Sequence, residues 1–236
     1  MEDNNYFKGL TRKEYIEHAG KLLEKSGKSD LTIRELSKDI GCSSSALYRY
    51  FKNKDELMYF VNLGILDKYV TRLNKAAEHW TCPWDNYVGV WDCYCREAFM
   101  NIHAYDQLFF KNTNVELNKS IHEFYEMFPD NISRSNKIFQ SMLSRPDFLG
   151  RDYLVALDCA EQGAISIEKA KILNRSVCML YKGYFKTIKD EGIEQYGADP
   201  WTRQCVADID MIVFALADDL KGYKGYYEGN PASSID

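Results

Sequence analysis

Apolar residues recur along this chain at steps of three and four, and the two-residue alternation of strands is scarce, so the pattern predicts an all-α protein. The first helix opens at Thr11, where Thr11-Arg12-Lys13-Glu14 has the form of a capping box. Tyr15, Ile16, Ala19, Leu22 and Leu23 then build one apolar face up to Gly27. A second box, Thr32-Ile33-Arg34-Glu35, starts a short helix with Ile33, Leu36 and Ile40 on one side, closed by Gly41. A third begins near Ser43, turning Ala46, Leu47 and Phe51 inward and Ser44, Ser45, Tyr48 and Arg49 outward. Asn53 caps a fourth, with Glu56 three residues on. From Leu57 the helices lengthen, which places a rigid domain boundary inside the fourth helix. Residues 1–56 form a three-helix unit, 57–225 a larger helical domain, and 226–236 a turn-rich tail expected to fray. The larger domain should hold helices near 83–104, 105–112, 114–128, 131–144, 151–163, 166–191 and 199–222, the last opened by Asp199-Pro200.

The second and third helices have the layout of a helix-turn-helix: small Ser37 where two helices meet closely, Gly41 at the turn, and Leu47 anchoring the recognition helix. The run from Leu31 to Leu57, with Ala46-Leu47-Tyr48-Arg49-Tyr50-Phe51 followed by Lys54-Asp55-Glu56-Leu57, resembles the signature of the tetracycline-repressor-like (TetR) family. The resemblance covers residues 11 to about 60, and beyond it only size and helical layout agree. It implies a homodimer that sets two recognition helices in successive major grooves of a palindromic double-stranded DNA operator, repressing a promoter until a ligand releases it. It also implies phosphate contacts by Tyr48 and Tyr50. Many members have His where this chain has Tyr50, which keeps a donor but changes its reach.

The residues point the same way on their own. Thr32, with Ile33 in its first turn, and Ser43 begin helices whose N–H groups can hold a phosphate, and Lys54 adds charge. Ser44, Ser45 and Arg49 are candidates for base-edge contact, with Arg34 as an auxiliary. Against this stand plain packing for the two tyrosines and a solvated face for Lys38, Lys52 and Lys54.

Charge sharpens the division of labour. The chain carries −5 overall, yet residues 8–54 hold 11 Lys and Arg against 6 Asp and Glu, a net of +5 that leaves −10 for the remainder. A composition of 45% hydrophobic and 28% charged residues excludes a low-complexity chain. No stretch approaches the ~20 apolar residues of a membrane span, and Met1-Glu2-Asp3-Asn4-Asn5 lacks a signal-peptide pattern, so a cytoplasmic protein is expected. The seven cysteines form an odd set without a CxxC pair, and Cys93 and Cys95 diverge by roughly 200° on a helix. Free thiols, no metal site and no cofactor are therefore expected.

Residues 84–128 are dense in aromatics, and Trp84, Tyr87, Trp91, Tyr94 and Ala98 fall on one helix face. That stripe is either plain core or the lining of a cavity for a small apolar or aromatic effector, and TetR resemblance favours a cavity in this middle region. The candidate lining is Trp91, Tyr94, Phe99, Phe110, Phe124, Tyr125, Phe128 and Tyr181, with His103 and Glu97 as polar anchors. The last two long helices carry apolar stripes, Ile172, Val177, Leu180, Phe185 and Ile188, then Val206, Ile209, Ile212, Val213, Leu216 and Leu220. In the TetR pattern this pair joins its symmetry mate in a four-helix bundle; the alternative is burial within the chain. No catalytic order of Ser, His and Asp, phosphate loop or HExxH stands out, so an enzyme is not expected. The competing function is a DNA-binding regulator whose larger domain docks a protein without any small-molecule ligand.

Overall fold

The computed structural model describes residues 10–28, 30–110, 117–130, 135–145, 147–192 and 197–229. Twelve helices run through the described residues: α1 (Arg12–Ser26), α2 (Ile33–Ile40), α3 (Ser44–Leu47), α4 (Lys54–Ala77), α5 (Pro83–Met100) and α6 (Ile102–Phe109). They continue as α7 (Leu117–Met127), α8 (Lys137–Ser144), α9 (Phe148–Glu161), α10 (Ile167–Glu191), α11 (Ala198–Leu216) and α12 (Tyr226–Gly229). The fold is all-α.

Both capping boxes form as the sequence requires. Thr11 and Thr32 each accept from the third backbone N–H of their helix while Glu14 and Glu35 reach back. Gly41 closes α2 at φ 76°, a left-handed value that a β-carbon disfavours, and so lets the chain turn straight into α3. Asn53 caps α4 through Glu56 N at 2.9 Å.

Helix α5 runs through the middle of the larger domain, against α4, α9 and α11. It is buried nearly all round, from Trp84 through Phe99, which is why its aromatic stripe is wider than one face. Gly89 lies where a β-carbon would meet Trp80 Cζ2 at 2.3 Å. Gly89→Ala should therefore destabilise by about 1–3 kcal/mol, against the gain of about 1 kcal/mol that alanine brings to an open helix site. A urea melt decides the sign.

Three expectations change. The break between α5 and α6 falls at Asn101, whose φ of −126° and ψ of 44° leave the helical region, so one helix ends at Met100 and the next starts at Ile102. The final long helix stops at Leu216, not near 222, because Ala217 turns to ψ 142° and the Asp218 and Asp219 N–H groups donate to Ala164 O. The frayed tail is docked as far as it is described: Tyr226 is 1% exposed, its N–H donates to Asp210 Oδ2 at 3.0 Å, and Tyr227 Oη donates to Asp92 at 2.7 Å. Residues 230–236, and the outer parts of the segments expected at 105–112, 114–128 and 131–144, lie outside the described residues.

Val177, Phe185 and Ile188 of α10 and Val206, Ile209 and Val213 of α11 are buried within the chain. The stripes assigned to a subunit interface are thus largely intrachain core. What α10 and α11 leave outward is Ile172 of the expected stripe together with Met179, Met211 and Phe214, exposed by 43% to 71%. The seven cysteines are free, and five of them are buried. No helix among the described residues is long and apolar enough to cross a membrane, and none of their acidic, His or Cys side chains cluster as metal ligands.

Candidate DNA interface and enclosed aromatic site

Leu47, fully buried, pins α3 to the small domain. Ser37 holds the crossing: its Oγ donates to Ile33 O at 2.7 Å and lies 3.2 Å from Ser44 Oγ. With α3 and the following turn fixed from below, Ser43, Ser45, Tyr48 and Arg49 face solvent, and Tyr48 is 54% exposed. An aromatic this exposed is not core, which answers the packing alternative for Tyr48. Tyr50 is intermediate in role: 39% exposed, its ring packs on Tyr15 at 5.4 Å.

The remaining candidates divide. Arg34 is exposed on α2, and the first-turn N–H groups of Ile33 and Arg34 precede the helix's own hydrogen-bond ladder. Thr32 is committed, since both its N–H and its hydroxyl donate to the Glu35 carboxylate at 2.8 Å. A hydrogen bond from Lys28, with those from Thr32, holds the Glu35 carboxyl down to about 2. Ser44 is spent on Ser37 and Ser43 on Ser45. Lys54 is ion-paired with Asp30, so it reaches a phosphate only by exchanging that partner.

Arg12, which the sequence pattern did not single out, joins the two domains. Its guanidinium pairs with Glu56 of α4 and Glu123 of α7, both at 2.8 Å, and sits 4.3 Å over the Phe60 ring. Nothing in the spacing of residue 12 signals a partner 111 positions away.

In the larger domain Trp91, Tyr94, Phe99, Phe110 and Tyr181 do come together. Tyr181 is the hub, with Tyr94 and Phe148 at 5.2 Å, Trp91 at 5.4 Å and Phe99 stacked at 5.9 Å. The rings fill most of their own space. The void left among Tyr69, Val90, Trp91, Tyr94, Met142, Phe148, Arg151 and Asp152 is about 30 Å³, the room of about one water.

Phe124 and Phe128 are elsewhere. They stack at 4.7 Å and line a separate groove of about 460 Å³ between α1, α4 and α7. Tyr125, beside Phe124, feels the Arg151 charge. His103 belongs to a polar chain, Asn62 to Gln107 to His103, at 2.7 and 2.9 Å. Glu97 is paired with Arg72 at 2.9 Å.

Beneath the cluster lies a carboxyl that aromatic spacing could not reveal. Asp152 is buried and accepts from Trp91 Nε1 at 2.7 Å, Tyr87 Oη at 3.1 Å and Asn174 Nδ2 at 2.8 Å. Burial raises its pKa to about 6 and outweighs those hydrogen bonds, which pull it down. The folded state then binds this proton more tightly than the unfolded chain, whose Asp titrates near ~3.9. Stability from this group is complete below about pH 4 and lost as pH rises through 6, a difference on the order of 3 kcal/mol. Asp152→Asn should remove that component, so subtracting the two pH profiles of unfolding free energy isolates it; superimposable profiles would assign the proton elsewhere.

With this geometry in view, likenesses to known proteins fall into place. Residues 16–59 match the model of bacterial regulatory proteins, tetR family. Over 67 residues the chain is 30% identical to HTH-type transcriptional regulators of Staphylococcus aureus strains USA300 and NCTC 8325, a stretch covering 28% of this chain and 36% of theirs. The chain thus matches about a third of the length of those curated relatives. A protein of unknown function from Rhodococcus sp. RHA1 shares the fold at TM-score 0.57 and 15% identity, over 92% of this chain and 100% of that one. The TetR family transcriptional regulator PfmR from Thermus thermophilus is 17% identical at TM-score 0.46, over 86% of this chain and 96% of its own.

Proposed function

We propose, from the match of residues 16–59 to the model of bacterial regulatory proteins, tetR family, that the chain belongs to that family and is a cytoplasmic, homodimeric repressor released from an inverted-repeat operator by a small molecule. The observation that carries the reading is the exposed pair Tyr48 and Arg49, presented by a turn that Leu47 holds rigid within a segment, residues 8–54, of net charge +5. Phenol and guanidinium together supply a phosphate donor and a base-edge fork.

Dimerisation is supported by the outward apolar set. Ile172 and Met179 lie seven residues apart on α10, and Met211 and Phe214 three apart on α11, so each helix presents a seam that water disfavours. Coupling between the two domains is supported by α4. Its Phe60 packs on Phe51 of the small domain at 6.4 Å, and Tyr69, two and a half turns on, lines the enclosed aromatic site. A ligand that moves Tyr69 would therefore act on a helix whose other end supports the recognition turn.

The near-filled aromatic cluster favours a second reading, in which the larger domain docks a protein and its rings are core. Selection of genomic fragments by the purified protein under competitor DNA tests the first part of the proposal. Enrichment of one inverted repeat supports it, whereas retention without sequence preference counts against it.

A further inference from the structure

On the effector reading above, we propose that the aromatic site of the larger domain is built to receive an aromatic molecule carrying a carboxylate, with Arg151 as its anion anchor. Arg151 is 7% exposed and lines the void. Its guanidinium donates from Nε to Arg145 O at 2.5 Å and from Nη2 to Leu143 O at 3.3 Å, and lies 4.9 Å from the Phe109 ring. None of the ion pairs among the described residues gives it a carboxylate. A permanently charged group taken out of water without a counter-ion is held at a cost that an incoming anion would relieve.

Asp152 does not serve as that counter-ion. Adjacent residues of α9 point roughly 100° apart, and both Asp152 oxygens are occupied by Trp91, Tyr87 and Asn174. Two phenol donors of the same aromatic cluster, Tyr94 and Tyr105 with rings 5.3 Å apart, stand unspent. The Tyr105 hydroxyl is buried without a hydrogen-bond partner, and the Tyr94 hydroxyl is buried beside Tyr181 without reaching hydrogen-bond geometry. Tyr69 and Tyr94 line the void together with Arg151, and burial pushes both phenols up while the Arg151 charge pulls them back. A buried cation that shares its void with the unspent Tyr94 hydroxyl and with Trp91 has the chemistry of a receptor for an aryl carboxylate.

The room must come from the walls. Met142 is unbranched and repacks readily, and Phe148 is half-buried at the first turn of α9, so these two side chains are the ones that yield to a ring.

The test titrates the full-length protein with 2-naphthoate and with its neutral counterpart 2-naphthamide, by calorimetry and by Trp fluorescence. The acid should bind about 10- to 100-fold more tightly than the amide. Arg151→Met should erase that preference while retaining amide binding. Because Arg151 also caps α8 through Leu143 and Arg145, Tyr94→Phe is the companion variant, expected to weaken the acid several-fold and leave the amide unchanged. A merely structural role for Arg151 would lower the melting temperature without moving the acid-to-amide ratio. Amide binding equal to acid, in the natural protein, overturns the anion anchor and leaves the effector reading standing; no binding of either compound overturns both.

Discussion

Replacing Tyr48 and Arg49 together by alanine should weaken operator binding by about 100-fold or more, because each removes a donor worth about 1–3 kcal/mol at the DNA surface. The two side chains are exposed and Leu47 alone buries in this turn, so the melting temperature should hold within a degree or two. The single variants separate their roles. Tyr48→Phe should weaken all duplexes alike, as loss of a phosphate donor does, whereas Arg49→Ala should also relax the choice of base at one position of each half-site. Electrophoretic titration against the operator and a scrambled duplex reads both effects. Unchanged affinity in the double variant would remove this turn from the interface.

Trp91→Ala should cost about 4 kcal/mol of stability, which for a chain of this size is a fall of roughly 10 °C in melting temperature. Trp91 is 3% exposed, packs on Tyr94, Phe148 and Tyr181, and its Nε1–H is one of the donors that keep Asp152 satisfied. Truncation therefore removes packing and strands a carboxyl in the same step. The loss should be smaller near pH 4, where Asp152 is protonated in either protein, and calorimetric melts at pH 4 and 7 check the difference. A loss below about 1 kcal/mol would mean the cluster is loosely filled, and the void larger than one water.

The small domain was legible in the sequence because its determinants are local. Thr11 and Thr32 with Glu14 and Glu35 three residues on, Gly27 and Gly41 in left-handed turns, and Leu47 as the inward anchor are all read within four positions of one another. The larger domain was legible in part. The spacing of Trp91, Tyr94 and Phe99 marked a buried face, and these rings do meet Tyr181. Spacing could not say which aromatics on other helices share that face, so Phe124 and Phe128 were grouped with a cluster to which they do not belong, since they line the groove between α1, α4 and α7.

The polar members of the site were out of reach for a different reason. Nothing in the spacing around Arg151 and Asp152 marks them as buried, and only the docking of α9 against its neighbours buries them. Arg12 is the same case, its partners Glu56 and Glu123 being set by tertiary packing. The apolar stripes of α10 and α11 misled because each helix carries apolar residues on two faces. The richer one, Val177, Phe185, Val206 and Ile209, is the inner one.

Sequence-specific DNA recognition by the surface around Tyr48 and Arg49 is the property on which the proposed function rests. The most direct measurement is the affinity of the purified protein for its best genomic inverted repeat and for a scrambled duplex of equal length, each across a range of salt. A dimeric operator-binding repressor should show at least about 1000-fold preference for the repeat, two chains bound per repeat, and a steep fall in both affinities with salt. Equal affinity for the two duplexes at every salt concentration would contradict it.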